Sequence, residues 1–149
     1  MRWSHPVLLV LLLAGLAFPV LAAEGNRMGY VSFHEVRIRL QDERARIEVD
    51  YTLDPGMSLI ILFFGSADLQ RKIERSLKFP SAKAEEVGLS HAVFTVDHAA
   101  EDYGDRAYWF PAHSFGVTFP LVEVKAPGYS QSFTTARGTT EFGYFGDRP

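Results

Sequence analysis

Between Val36 and Leu53 the chain alternates in character. Val36, Ile38 and Leu40 are separated by Arg37 and Arg39; the polar residues Gln41 to Arg44 interrupt; then Ala45, Ile47, Val49, Tyr51 and Leu53 resume the pattern. In an extended chain successive side chains point to opposite faces, so apolar residues at every second position give a sheet one dry face and one wet face. Two such runs across a short polar break predict a β-hairpin with one buried face. Asp54-Pro55-Gly56 then supplies turn chemistry, proline fixing φ and glycine accepting a positive φ. The following Met57 to Phe64, Met-Ser-Leu-Ile-Ile-Leu-Phe-Phe, is apolar almost throughout and reads as a third strand covered on both faces.

Gly65-Ser66 breaks that run, and Ser66 suits the N-cap of a helix over Ala67 to Leu77. Leu69, Ile73 and Leu77 make one apolar stripe, with Arg71, Arg75 and Lys78 opposite. Asp68 near the start and Lys78 near the end suit the helix dipole, and Phe79-Pro80 ends it. The cationic side reads as a solvated face diluted by Asp68 and Glu74. A strand start with Gly65-Ser66 resembles an anion cradle, but Asp68 would repel a phosphate and capping alone accounts for it. Further strands are predicted over 90–98, 106–110, 116–125 and 130–135, with Pro120 marking an edge or a bulge. The expected fold is α+β, mostly antiparallel: a β-sandwich-like domain with one amphipathic helix inserted after the third strand.

Residues 1–23 differ in kind. They hold one basic residue, Arg2, no acid, and a 17-residue apolar run from Val7 to Ala23 that ends in small residues before Glu24. This is the pattern of a signal peptide. The same run sits at the lower edge of the length that spans a bilayer, so an uncleaved N-terminal anchor is the alternative. A short polar tether over 24–29 and a single β-rich extracytoplasmic domain over 30–149 follow, and membrane contact is expected only through the N-terminal segment if it is retained. Beyond residue 23 the chain has 14 basic and 18 acidic residues, a formal net charge of −4. That balance carries no basic stripe for nucleic acid. The 22% charged and 47% hydrophobic composition excludes disorder.

The chain contains no cysteine, which removes disulfides, thiolate metal ligands, a Cys nucleophile and a lipid-modified cysteine. Asn26 is the only asparagine and opens no Asn-x-Ser/Thr site. The densest polar group is Asp97-His98-Ala99-Ala100-Glu101-Asp102-Tyr103-Gly104-Asp105. Its four carboxylates and one imidazole offer oxygen ligands for calcium or a mixed set for zinc, at Asp97, His98, Glu101, Asp102 and Asp105. The spacing matches no EF-hand loop or zinc-protease motif, and a solvated hairpin loop has the same composition. His91 and His98 stand an odd interval apart on one strand and so point to opposite faces. His113-Ser114 is only a sequence neighbour pair, and no Gly-x-Ser-x-Gly elbow presents a serine nucleophile. Aromatic residues crowd 103–115 and the tail. Tyr108, Trp109, Phe110, Phe142, Tyr144 and Phe145 are the candidate binding residues, because exposed rings give sugars or a protein partner a large contact area at small entropic cost; the alternative for Tyr108 to Phe115 is that they fill a core short of Leu and Met, and for the tail that it pairs as a last strand.

Leu62-Phe63-Phe64-Gly65-Ser66-Ala67-Asp68-Leu69, with Lys72-Ile73, and the later His113-Ser114-Phe115-Gly116-Val117-Thr118 resemble segments of an uncharacterised group of exported or membrane-anchored proteins of methanogenic archaea. The resemblance implies an exported domain facing outward and supplies no activity and no cofactor. The expected function is therefore a non-enzymatic extracytoplasmic binding or structural module with a protein or cell-surface partner. The alternative is a metal-dependent hydrolase, or a calcium-stabilised domain, built on the acidic loop.

Overall fold

The structure, a computed structural model, describes residues 25–147, so the leader read over 1–23 lies outside the described residues. Its strands are β1 (Arg27–Met28), β2 (Val31–Gln41), β3 (Arg44–Leu53), β4 (Lys83–Val87), β5 (His91–Val96), β6 (Glu101–Asp102), β7 (Ala107–Phe110), β8 (His113–Ala126), β9 (Tyr129–Thr139) and β10 (Phe142–Phe145). Two helices, α1 (Met57–Phe64) and α2 (Ala67–Leu77), lie between β3 and β4. The fold is α+β with mostly antiparallel strands.

The main sheet runs β4-β5-β3-β2-β8-β9, with β1 added on β2. The β2–β3 hairpin pairs in register from Val36↔Val49 to Gln41↔Arg44, as the alternation implies, and a bulge falls between Phe33 and Glu35. Val31, Phe33, Val36, Ile38 and Leu40 of β2 and Ala45, Ile47, Val49 and Tyr51 of β3 are buried on one face. The opposite face carries an ion-pair lattice: Arg37 with Asp50 (2.7 Å), Arg46 with Glu85 (2.8 Å), and Lys83 with Asp97 (2.7 Å). These pairs are solvated, so they keep the face wet without adding much stability. One pairing departs from the antiparallel expectation, since β8 runs parallel to β2 from Glu35↔Leu121 to Arg39↔Lys125. Pro120 stands just before that ladder begins, and Thr135 of β9, between the register partners of Phe119 and Leu121, takes a positive φ of 51°. The proline thus marks an irregularity within the sheet rather than an edge. Of the stretch expected as a tether, Arg27 and Met28 pair with Ser32 and Val31 and are tied to the body.

Met57–Phe64 is a helix, which corrects the predicted third strand. An unbroken short apolar run has no period to read, and the residues of this one include Met and Leu, which are good helix formers. The tertiary structure decides the outcome. The free edge of β3 is occupied by β5, from Ala45↔Val96 to Asp50↔His91, so no slot remains for residues 57–64. Gly56 (φ 84°) and Gly65 (φ 90°) bracket the helix with positive φ angles that most residues resist, and the Gly65 N–H bonds to the Ile61 carbonyl at 2.8 Å.

α2 has the bounds its stripe predicted, and Leu69, Ile73 and Leu77 are fully buried against the sheet. Ser66 occupies the N-cap position but makes no side-chain cap bond; its carbonyl accepts the Gln70 N–H at 2.8 Å. Tyr30 holds the start of the helix by donating its hydroxyl to Asp68 at 2.9 Å, with the Lys72 ammonium 5.2 Å from its ring centre. The second layer of the core is this helix together with a three-stranded sheet, β10-β7-β6. Phe142 stacks on Tyr129 (3.8 Å between ring centres), and the Tyr144 hydroxyl donates to the Asp42 carbonyl, which fastens the small sheet to the turn of the β2–β3 hairpin.

Candidate functional site

The small sheet decides which aromatic residues are available. β7 and β10 pair antiparallel as Phe142↔Phe110, Gly143↔Trp109, Tyr144↔Tyr108 and Phe145↔Ala107. Directly opposed residues share a face, so the six candidate residues divide in two. Phe110, Phe142 and Tyr144 point inward and are buried, with Tyr108 half-buried beside Tyr144 at 5.6 Å between ring centres. This corrects their assignment as exposed binding residues: their main contribution is to the core. Trp109 (37% exposed) and Phe145 (72%) face outward, joined by Tyr103 (70%), which the sequence reading noted as an aromatic without assigning it a role.

These rings border an open groove of about 590 Å³, lined by Tyr103, Ala107, Tyr108, Trp109, Gly143, Tyr144 and Phe145. Gly143 matters through what it lacks. Its register partner is Trp109, and a side chain there would stand 3.4 Å from the indole edge, so hydrogen at this position leaves the floor beside the ring open. Across the indole on its other side lies Glu101, the β6 residue paired with Trp109. The Tyr103 hydroxyl donates to Glu101 Oε2 at 3.0 Å, and that bond to a carboxylate raises the Tyr103 pKa above the usual phenol value. Partial burial raises that of Tyr108, with Asp42 and Asp102 adding to the effect. Both phenols therefore stay protonated and remain donors. The groove thus combines an aromatic floor with one phenol–carboxylate pair, Tyr103 and Glu101, at its side. Such a site stacks on a ring and hydrogen-bonds its edge.

The acidic loop is not gathered into one centre. Asp97 accepts from Lys83 at 2.7 Å and lies 3.3 Å from Arg44, and the Lys83 bond holds its carboxyl below the usual range. His98, with φ 57°, pairs with Glu43 at 3.1 Å. Glu101 is engaged by Tyr103, Asp102 accepts the Gly104 N–H at 2.8 Å in an Asx turn, and Asp105 sits in the same turn with φ 51°. Among the described residues no three His, Asp or Glu side chains stand together as a metal-ligand set for calcium or zinc.

The histidines are likewise engaged separately. His91 Nδ1 lies 2.6 Å from Asp50, and His34 Nε2 lies 2.5 Å from the Thr52 hydroxyl. His113 stacks on Phe79 (3.7 Å, 5° between planes) and donates from Nε2 to the Leu77 carbonyl at 2.7 Å, closing the end of α2. That nitrogen carries its proton for Leu77, so it is not a base for the neighbouring Ser114.

Burial, with a smaller contribution from Lys78, lowers the His113 pKa in the fold below its ordinary 6.5, against the opposing effect of the Leu77 bond. On acidification the unfolded chain therefore takes up this proton first. The resulting stability is full above about pH 6.5 and falls as pH drops to the lower folded value. Urea midpoints are expected to decline between pH 7 and pH 5, less steeply in His113→Gln than in the wild type. Equal slopes in the two proteins would remove His113 from this account.

No protein-family model matches the sequence, and neither a curated protein nor a solved structure matches the chain.

Proposed function

We propose that the chain is an extracytoplasmic, non-enzymatic binding module and that its aromatic groove takes a carbohydrate. The observation that carries this reading is the outward pairing of Trp109 with Gly143, between Phe145 and the Tyr103–Glu101 pair. A pyranose ring has an apolar face of C–H groups that stacks on an indole, and hydroxyls at its edge that a carboxylate accepts and a phenol supplements. The open groove suits a chain or chain end more than an enclosed small molecule. The leader-like composition of residues 1–23 supports export, where cell-surface glycans are met.

The test is a titration with neutral oligosaccharides of glucose and of N-acetylglucosamine, read by tryptophan emission in the wild type and Phe145→Ala and by calorimetry in the wild type and Trp109→Ala, which lacks the reporter ring. The expected result is a saturable change, with affinity lowered by about tenfold or more in Trp109→Ala and by a smaller factor in Phe145→Ala. If none of the saccharides alters emission, or if Trp109→Ala binds as well as the wild type, the reading fails. Capture of peptides on the same residues would replace it with a protein-binding site.

A further inference from the structure

Away from the groove, α1 presents a feature that the aromatic site does not use. Phe64 is 86% exposed, Phe63 81%, Leu62 67%, Leu59 61% and Ile60 49%, while Ile61 is its only buried residue. At 100° per residue the five exposed side chains cover an arc of about 200° around the helix axis. A surface helix of a globular protein turns an apolar stripe of about 100° or more to the core, and the exposed apolar arc here is about twice that width. The helix contains no charge and has Ser58 as its only polar residue. A continuous exposed apolar surface of this kind marks an interaction site rather than ordinary scatter.

Its position supplies the second observation. The chain leaving the apolar Val7–Ala23 run enters the described body at Gly25, whose carbonyl accepts the Thr118 N–H. Two residues on, Arg27 grips both carboxylate oxygens of Asp54 at 2.8 Å, and the Asp54 N–H bonds to the Tyr30 carbonyl. Asp54-Pro55-Gly56 leads straight into α1, so the entry point of the apolar N-terminal run and the base of the exposed helix are held together.

We propose that α1 is a lipid-facing wedge that lies in the surface of a bilayer and seats this end of the domain on it. This inference is independent of the carbohydrate reading. Eight residues make a helix of about 12 Å, far short of the roughly 30 Å hydrocarbon core, so α1 lies in the interface and does not cross. Among the described residues no helix is long and apolar enough to cross a membrane. A bilayer envelops a wide arc, which matches the exposed surface better than one protein partner does. The charges near its base are largely offset, Arg27 by Asp54 and Arg71 and Lys72 by the one carboxylate of Asp68, which leaves a single net positive charge. Apolar burial is therefore the driving force, and seating is only weakly sensitive to salt and needs no anionic lipid. The sequence expectation, with residues 57–64 read as a buried strand, confined membrane contact to the N-terminal segment.

The absence of cysteine makes the test direct. Single-cysteine variants of the full chain, Leu62→Cys, Phe63→Cys and a control Ser130→Cys, are labelled with an environment-sensitive fluorophore and reconstituted with phosphatidylcholine vesicles. Ser130 is exposed and pairs with Lys125, which lies in register with Arg39 near the far end of β2. The expected result is blue-shifted emission at both α1 positions, quenched by lipids with brominated acyl chains at least about threefold more than the control, and unchanged by salt. Water-like emission at both α1 positions overturns the proposal. Blue-shifted emission that brominated lipids do not quench also overturns it, because the helix is then covered by protein. Energy transfer between labelled chains would identify that cover as a second copy, and its absence as the chain's own N-terminal segment.

Discussion

Replacing Gly116 by alanine is expected to destabilise the fold by about 2–3 kcal/mol, and by valine more. A methyl carbon at Gly116 would stand 2.5 Å from the Arg75 carbonyl oxygen and 3.3 Å from the Ser76 Cα, both backbone atoms of α2. Backbone of a packed helix has no rotamer with which to give way. The whole helix must lift, and lifting it loosens Leu69, Ile73 and Leu77, which the sheet buries completely. Glycine in a strand interior is ordinarily a weakness, and here it is the condition for close approach of helix and sheet. Gly143→Ala is the matched control. Its added methyl would meet the edge of the Trp109 ring at 3.4 Å and the Tyr108 carbonyl oxygen at 3.7 Å, both ordinary contacts, so its cost is expected to stay below about 1 kcal/mol. Urea unfolding with unchanged m-values checks both. A Gly116→Ala midpoint equal to that of Gly143→Ala would show that α2 is not seated as described.

The β2–β3 hairpin was legible because its signal is local and repeated: eight apolar positions of period two around one polar turn. α2 was legible for the same reason, with a stripe of period four between a capping residue and a proline. α1 was not, because Met57–Phe64 has no polar position to set a period, and the contest for the edge of β3 is decided by β5, which lies about forty residues further on. The parallel pairing of β2 with β8 is about twice as remote in sequence.

The groove was half legible. Composition singled out the aromatic residues of β7 and β10, but which of them face water follows from register. Phe110 and Trp109 are neighbours in sequence and opposites in role, since the first meets Phe142 in the core and the second meets Gly143 at the surface. Alternation within β7 separates the two, and only the pairing with β10 says which is which. Tyr103 reaches the same surface because the β6–β7 turn, with Gly104 at φ 82°, folds it back beside Glu101. The acidic loop misled in the opposite direction. Carboxylates close in sequence are turned outward to separate partners, Lys83, Tyr103 and the Gly104 amide, by the hairpin that contains them.

Truncating Phe33 should have the largest effect on stability, about 3–5 kcal/mol for Phe33→Ala. Its ring is fully buried where the main sheet changes from antiparallel to parallel pairing, packed at 5.2 Å between centres against Phe119 of β8 and at 6.4 Å, edge-on, against Tyr51 of β3. Phe119 in turn meets Phe115 edge-on at 5.0 Å, so one ring bridges β3, β2 and β8. Removing it opens a cavity bounded by three strands, and strands held by ladders cannot collapse to fill it. The backbone of Phe33 also exchanges two bonds with Asn26, its N–H donating to the Asn26 carbonyl and its carbonyl accepting from the Asn26 amide, both at 2.8 Å. Loss of the ring therefore slackens the clasp that ties the N-terminal entry, and with it the base of α1, to the sheet. For a domain of this size the cost corresponds to a fall in Tm of roughly 10–20 °C. Phe33→Leu, which keeps most of the volume, should cost less than half as much. Thermal and urea unfolding of the two variants decide the point: equal losses would mean that ring packing across the β2–β8 junction is not what holds the sheet, and a loss below about 1 kcal/mol in Phe33→Ala would mean the core relaxes around the gap.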